Sequence, residues 1–515
     1  MGKLEALAWL GLCSCLGTGC ATSAIDAAPA RPDRPWTPAV AQDGELQPGK
    51  AEPNARPEGT RAGYVLPANP ALAALPQPPA GLDAKRAYTL PELIDLAESN
   101  NPSTRVAWLN AREAALAAGI VESTYLPEVS ASVVGAYQYG HGENSAFGFS
   151  ADDHVSVAGA LAALSLRWLL FDFGGRSALV DAAKQGSLLS NIAFTAAHQR
   201  IIYEVTLAFY ANAAAVAHLQ SAETGLQNAH DVEVAGQARF AQGIGTVIEV
   251  AQAHQATAQA ELIRVQADGS ARDTYLRLIA AMGVSPLTKL QVADVSDRRL
   301  SVEMIPPIER IVTRALEARP DMLSAHAAQK VSLANLRAAQ AAFLPKLFLS
   351  ATGSYRTSDI DVVALPGLGS DAPTLNLSGH AVGFTVLLGA TVPVFDGGRR
   401  SATVAQARAR VDKADATLSG VRNEAVRQVV SAQTSLKSSL AARDASLALV
   451  SAADTTYSAA LDAYRNGLGS VTETLIAETQ LLAARNAAVD AYSTALSAAA
   501  SLALAAGTLG GAPAP

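Results

Sequence analysis

The sequence predicts a mainly helical α+β chain built as two copies of one unit, each copy holding a pair of strands between helices. Three observations predict it. A set of motifs recurs in the same order at near-constant separation. Two stretches in each copy alternate apolar and polar residues with period two. The remainder is rich in Ala and small aliphatics, in a chain that is 50% hydrophobic but only 5% aromatic. Small side chains of that kind suit closely packed helices better than a bulky core.

Composition excludes several function classes. The chain has 515 residues with 39 Lys and Arg against 46 Asp and Glu, a net charge of −7. That balance argues against a nucleic-acid partner, which needs a basic face. The three cysteines, Cys13, Cys15 and Cys20, all lie at the N-terminus, so the rest of the chain can form no disulfide and no Cys-based metal site. The 8 His are scattered and form no paired ligand motif, and no metal is expected. No nucleophile–base set or phosphate loop is present either, so neither an enzyme nor a cofactor is expected.

Residues 1–20 read as a signal segment. Lys3 begins it, and the apolar run from Leu4 to Leu16 is too short to span a bilayer. Leu16-Gly17-Thr18-Gly19-Cys20 resembles a bacterial lipoprotein site with lipidation at Cys20; Cys15 is a second candidate and plain cleavage near Ala24 the alternative. Residues 21–87, rich in Pro and Ala, read as a flexible arm. The first repeat is placed at 88–300, the second at 301–507, and a short flexible tail at 508–515.

The repeat rests on three anchors. Asn101-Pro102 opens a helix ending at Tyr125-Leu126-Pro127, and Arg319-Pro320-Asp321 opens one ending at Phe343-Leu344-Pro345, 218 residues later at both ends. Phe171-Asp172-Phe173-Gly174-Gly175-Arg176 corresponds to Phe395-Asp396-Gly397-Gly398-Arg399-Arg400, 224 residues on. Phe240-Ala241-Gln242-Gly243-Ile244-Gly245-Thr246 corresponds to Tyr464-Arg465-Asn466-Gly467-Leu468-Gly469-Ser470, again 224 residues on. Pro127 and Pro345 stop helices where the chain must extend. Gly174, Gly175, Gly397 and Gly398 allow the return from strand to helix, and Asp172 and Asp396 are placed to cap the helices that follow.

The strands show one apolar face each. Val129, Ala131, Val133, Gly135, Tyr137 and Tyr139 alternate with Ser130, Ser132 and Gln138; Leu164, Leu166, Trp168 and Leu170 alternate with Ser165 and Arg167. In the second copy Leu347, Leu349 and Tyr355 oppose Ser350, Thr352 and Arg356, and Val382, Phe384, Val386, Leu388, Val392 and Val394 oppose Thr385 and Thr391. Strands of about ten residues with an apolar face and aromatics near their ends fit an outer-membrane β-barrel; a soluble sandwich is the competing reading. Four strands cannot close a membrane barrel, so the barrel must be shared between subunits, and three chains would supply twelve.

The helices carry a second argument. The stretch after Gly175 continues for some sixty residues, roughly 90 Å. In each copy the helices before the strands and after the Gly turn together approach the long one in length, so they can stack end to end beside it. A solid four-helix bundle would leave the strand pairs unexplained.

These residues together resemble the TolC-type outer-membrane efflux family, over about residues 88–507. The resemblance implies a homotrimer with a twelve-stranded barrel in the outer-membrane bilayer, a periplasmic helical barrel below it, and partners in a periplasmic adaptor and an inner-membrane transporter. A lipidated N-terminus would sit in the inner leaflet of the outer membrane. The implied function is an exit duct, opened at its helix tips. It also implies that Glu249 and Glu473 line the periplasmic constriction, where a carboxylate ring would attract cations, and that Tyr464 closes the gate by hydrogen bonds across helix pairs. Phe240, its counterpart, lacks the hydroxyl. The family's Arg after the tip Gly is absent, Gly469 standing there, with Arg465 close by as a substitute; Ile476 replaces a second acidic position. Gly243, Ile244 and Gly245, with Gly467, Leu468, Gly469 and Ser470, are the implied adaptor-docking tips.

The cargo is open at this stage. The lipoprotein-like start and the Arg-Pro-Asp motif favour a proton-driven partner over an ABC transporter, the alternative being the exit channel of type I protein secretion. A structural envelope coiled coil or an adaptor is the reading from another class; two copies with membrane-type strands count against it.

Overall fold

The computed structural model describes residues 27–29, 32, 39–47, 66–146, 149–295, 305–363 and 374–510. It divides into two compact units, 1–78 and 79–515. In the first, β1 (Ala39–Val40) pairs antiparallel with β2 (Leu46–Gln47). Cys15 and Cys20 lie outside the described residues.

The second unit runs β3 (Ala87–Tyr88), α1 (Leu90–Asn100), α2 (Pro102–Glu122), β4 (Glu128–Ala146), β5 (Phe149–Phe171), α3 (Gly175–Ala241) and α4 (Val247–Ala281). It continues with β6 (Gln291–Val292), α5 (Ile308–Ala318), α6 (Pro320–Ala341), β7 (Lys346–Val363), β8 (Thr374–Thr391), α7 (Arg399–Arg465) and α8 (Val471–Ala505). The element order of the first half recurs in the second. α3 and α7 have 67 residues each, about 100 Å of helix, and α4 and α8 have 35 each.

Each half carries one helix the periodicity did not separate, α1 and α5. Both are amphipathic and lie against the long helices: Leu93 and Ala97 of α1 are buried with Val205 and Phe209 of α3, and Ile311 and Ala315 of α5 with Val429 and Leu436 of α7. Leu93 and Ile311 are 218 residues apart, as are Ala97 and Ala315. They belong to two buried clusters at the level where the shorter helices meet end to end.

That meeting has the same chemistry twice. α2 and α4 both pack on α3, and α6 and α8 both pack on α7 and on α3. At the first junction Asn101 Nδ2 donates to the Ala281 carbonyl at 3.2 Å. At the second, Arg319 Nη1 donates to the Ala505 carbonyl at 3.1 Å while its other nitrogens hold Asp321 and Gln428. Each donor satisfies a helix-end carbonyl that has no intrahelical partner. α8 is long and apolar enough to cross a membrane by length and composition, but it packs between α3 and α7 and buries Glu478 there.

The four long strands form one antiparallel sheet in the order β4-β5-β7-β8, leaving β4 and β8 as edges. The register gathers the four alternations onto shared faces. Ala131, Leu164, Gly353 and Phe384 form one row; Val133, Ala162, Tyr355 and Val382 form the next. No Asp, Glu, Lys or Arg stands on that face among the described side chains. The opposite face has rows such as Glu128, Arg167, Ser350 and Leu387.

Three expected positions depart from the alternation. A register shift falls between Leu169 and Phe171, so Leu170 is a bulge residue and Phe171, opposite Leu347, takes the apolar face in its place. β8 ends at Thr391, which puts Val392 and Val394 beyond the strand; Pro393 between them cannot donate to a ladder.

The returns from strand to helix follow a common plan. Asp172 accepts from the Arg176 amide at 2.7 Å, and Asp396 from the Arg400 amide at 3.1 Å. The Arg176 guanidinium lies over Tyr125 and that of Arg400 over Phe343, tying each helix start to the end of the helix before the strands. Gly174, Gly397 and Gly398 have positive φ, whereas Gly175 is simply the first helical residue. The place of Gly397 is taken in the first half by Phe173, which holds a left-handed backbone at φ 52° and packs edge-on to Phe171 at 4.7 Å.

Candidate functional site

The far ends of the long helices carry two matching turns. Gly243 (φ 77°) and Gly467 (φ 79°) each end a helix in the left-handed conformation. Ile244 and Gly245 both donate to the Arg239 carbonyl at 3.1 Å; Leu468 and Gly469 both donate to that of Ala463, at 2.8 and 3.1 Å. The next helix is then capped at once. Thr246 Oγ1 accepts from the Glu249 amide at 3.2 Å, and Ser470 Oγ from the Glu473 amide at 3.2 Å. Ile244 and Leu468 stand exposed at the two apices, with Val247 and Ile248 exposed beside the first.

The two acidic residues, equivalent in sequence, do different things. Glu473 closes a capping box, its carboxylate accepting from the Ser470 amide at 3.1 Å. Glu249 turns instead toward Arg239, its Oε2 4.0 Å from Nε. Arg239 is the residue that sequence reasoning missed. Its Nη1 donates to the Tyr464 carbonyl at 3.0 Å and its guanidinium lies 5.0 Å from the Tyr464 ring centroid. Tyr464 is fully buried. Burial pushes its phenol up, Glu249 adds to the shift and Arg239 opposes it. Three buried polar atoms at this point, Arg239 Nε, Glu249 Oε2 and Tyr464 Oη, have no hydrogen-bond partner among the described residues. Arg465, the expected substitute, reaches Asp231 of α3 at 3.8 Å and stays half exposed.

Behind the tips lies a second matched pair of positions. Glu233 of α3 meets His254 of α4 at 3.0 Å, and Thr257, with His254, holds its carboxyl below the usual range. The positions 224 residues later are Tyr457 of α7 and Glu478 of α8. There burial lifts the Tyr457 phenol to about 12 and the Glu478 carboxyl to about 7. Val232, Ala253, Tyr457, Leu461, Tyr464 and Leu481 form one buried cluster, so the two hairpins share a core at this end. No group of three His, Cys, Asp or Glu side chains converges on a metal position among the described residues. The site holds the two helix hairpins together at this end.

The profile of the outer membrane efflux protein family matches residues 93–284 and again 311–508. The chain belongs to that family. The chain is 29% identical over 364 residues to Protein CyaE of Bordetella pertussis, covering 69% of this chain and 70% of that one. It is 27% identical over 346 residues to outer membrane protein OprJ of Pseudomonas aeruginosa, covering 67% and 68%. Among solved structures, the outer membrane protein VceC of Vibrio cholerae superposes with a TM-score of 0.65 at 22% identity, over 81% of this chain and 96% of that one. The chain is therefore an outer-membrane exit duct of an efflux system, and the family is one of channels rather than enzymes. The apolar face of this efflux protein's sheet, which carries no Asp, Glu, Lys or Arg among the described side chains, is the face a bilayer accepts.

Proposed function

We propose that three copies of the chain close one twelve-stranded barrel in the outer membrane, continued below by a barrel of their helices, and that the whole passes substrates from an inner-membrane pump and a periplasmic adaptor to the exterior. One observation carries this reading. The sheet has four strands, two unpaired edges and an apolar outer face, uncharged among the described side chains, whose Val133, Val382 and Phe384 are 77%, 80% and 77% exposed in the single chain. Bare strand edges within a bilayer carry unsatisfied backbone groups, so they must be paired by further copies. The double match of one family profile supports an internal duplication as the origin of both halves. Residues 88–300 and 301–507 are then the repeats, and 1–20 the export signal with lipidation at Cys20.

Opening occurs at the tips, where Arg239, Glu249 and Tyr464 hold the hairpins closed, and the adaptor docks on the apices around Ile244 and Leu468. The partner transporter is proton-driven, on the strength of the lipoprotein-like start and the Arg319-Pro320-Asp321 motif. The test is crosslinking of the native complex followed by mass spectrometry. A trimer recovered with an adaptor and a proton-driven pump is expected. An ABC transporter in its place would move the chain to secretion, and a soluble enzyme with no membrane partner would overturn the assembly.

A further inference from the structure

The face of the sheet opposite the lipid carries a charge pattern that runs against the chain as a whole. The sequence is acidic, with a net charge of −7. Yet the charged residues on this face, among the described side chains, are Glu128, Arg167, Lys346 and Arg356. Glu128 and Arg167 are cross-strand partners and neutralise each other at 3.4 Å. Lys346 and Arg356 are exposed and have no carboxylate within ion-pair distance among the described residues. Arg356 stands in a row with Val134, Leu161 and Ala381, none of which can offset its charge. Lys346 is the first residue of β7, about 33 Å away along the strand. Among the described side chains the remaining residues of the face are mostly small, Ser, Thr, Gly and Ala, and add no charge of their own.

We propose that the barrel lumen is an anion-favouring filter, with Arg356 forming its inner ring and Lys346 the ring at its helix-side mouth, and that the cargo it passes most readily is anionic. This rests on the trimeric barrel above, in which each residue occurs three times around the lumen. Rings of Arg or Lys raise the local concentration of anions and repel cations. Their reach is about 10 Å at 0.1 M salt, so the preference sharpens as ionic strength falls. At the tip Arg239 offsets Glu249, and Glu473 keeps its charge, so the tip opposes the barrel with one carboxylate per chain rather than two.

The test is the reversal potential of the purified full-length protein in neutral planar bilayers under a steep KCl gradient, measured on the wild type and on R239A, which loosens the tip. Chloride preference is expected in both, stronger at low salt. K346Q/R356Q lowers the chloride-to-potassium permeability ratio several-fold, R356E inverts it, and R356K retains it. Potassium preference in the wild type, or an unchanged ratio in K346Q/R356Q, overturns the filter and leaves the duct standing. Absence of conductance in both wild type and R239A overturns the barrel itself, and the filter with it.

Discussion

Arg239 of the first half covers the buried ring of Tyr464 in the second, with 5.0 Å between guanidinium and ring centroid, and donates to the carbonyl of the same residue at 3.0 Å. One side chain therefore makes both polar and ring contact across the two hairpins at their tips. A charge-assisted hydrogen bond contributes about 1.5–3 kcal/mol, and a shielded cation–π contact about 0.5–2 kcal/mol. R239A also leaves Glu249 half-buried beside no cation. It should shift the closed-to-open balance by at least about tenfold, the equivalent of about 1.4 kcal/mol. Single-channel recording would show longer and larger openings, with R239K intermediate because it keeps charge without a planar face. Closed-state behaviour equal to wild type in R239A would remove Arg239 from the gate.

Tyr464 should act through its ring rather than its hydroxyl. Oη is buried and has no partner among the described residues. Removing a buried hydroxyl that bonds to nothing is nearly neutral or stabilising. Y464F should keep wild-type conductance and melt within about 0.5 kcal/mol of it, whereas Y464A opens a cavity that costs about 3–5 kcal/mol. Should Y464F open the channel as R239A does, the hydroxyl has an acceptor on another chain and the closure described here is incomplete.

Neighbouring residues of β8 test which face meets lipid. Val386 lies in a row with Ala351 and Leu166 on the uncharged face, and Thr385 with Thr352 and Ser165 on the other. Arginine on a lipid face costs about 2–4 kcal/mol near the midplane, and the proposed trimer multiplies it by three copies. V386R should lose heat-resistant trimer in the outer membrane while T385R assembles normally. Normal assembly of V386R with failure of T385R would reverse the assignment of faces.

Much of this was legible in the sequence because repeats and alternation are local signals. The separations of 218 and 224 residues locate the turns, the caps and the tips, and period-two patterning separates Leu164 from Ser165 and Val386 from Thr385 without the register. The short helices α1 and α5 were missed as separate elements because the Pro102 and Pro320 breaks are tight and the chain continues helical on both sides. Leu170 was misassigned because a bulge shifts parity without altering composition. Arg239 was invisible for another reason. Its partner is 225 residues away, and the repeat offers no guide, since the position equivalent to Arg239 is Ala463. A contact that breaks the pseudo-symmetry cannot be found by looking for the symmetry.

Glu478 should make the tip hairpin sensitive to pH. It packs against Gly225 of α3 and is almost wholly buried. It lies close enough to Tyr457 of α7 to act on that phenol, as do Asp231 of α3, Arg465 of α7 and Arg485 of α8, while burial alone shifts its own carboxyl. Burial raises its carboxyl from 4.5 to about 7. For an acid raised in this way the folded state binds the proton more tightly than the unfolded chain does. The stabilisation is complete below about 4.5, declines as pH rises toward 7, and is lost above that. Glu233, lowered by Thr257 and His254, acts in the opposite sense but only below 4.5, so the two do not overlap. Between about pH 5 and pH 8 the wild type should lose on the order of 1–3 kcal/mol per chain relative to E478Q, read as a difference in Tm that widens with pH. His254 occupies the equivalent place in the other hairpin and meets a carboxylate at 3.0 Å, so E478H is not a neutral control and E478Q is the variant to use. Parallel Tm profiles for wild type and E478Q across that range would show that the carboxyl finds water or a cation in the assembled duct, and the pH response would have to be sought elsewhere.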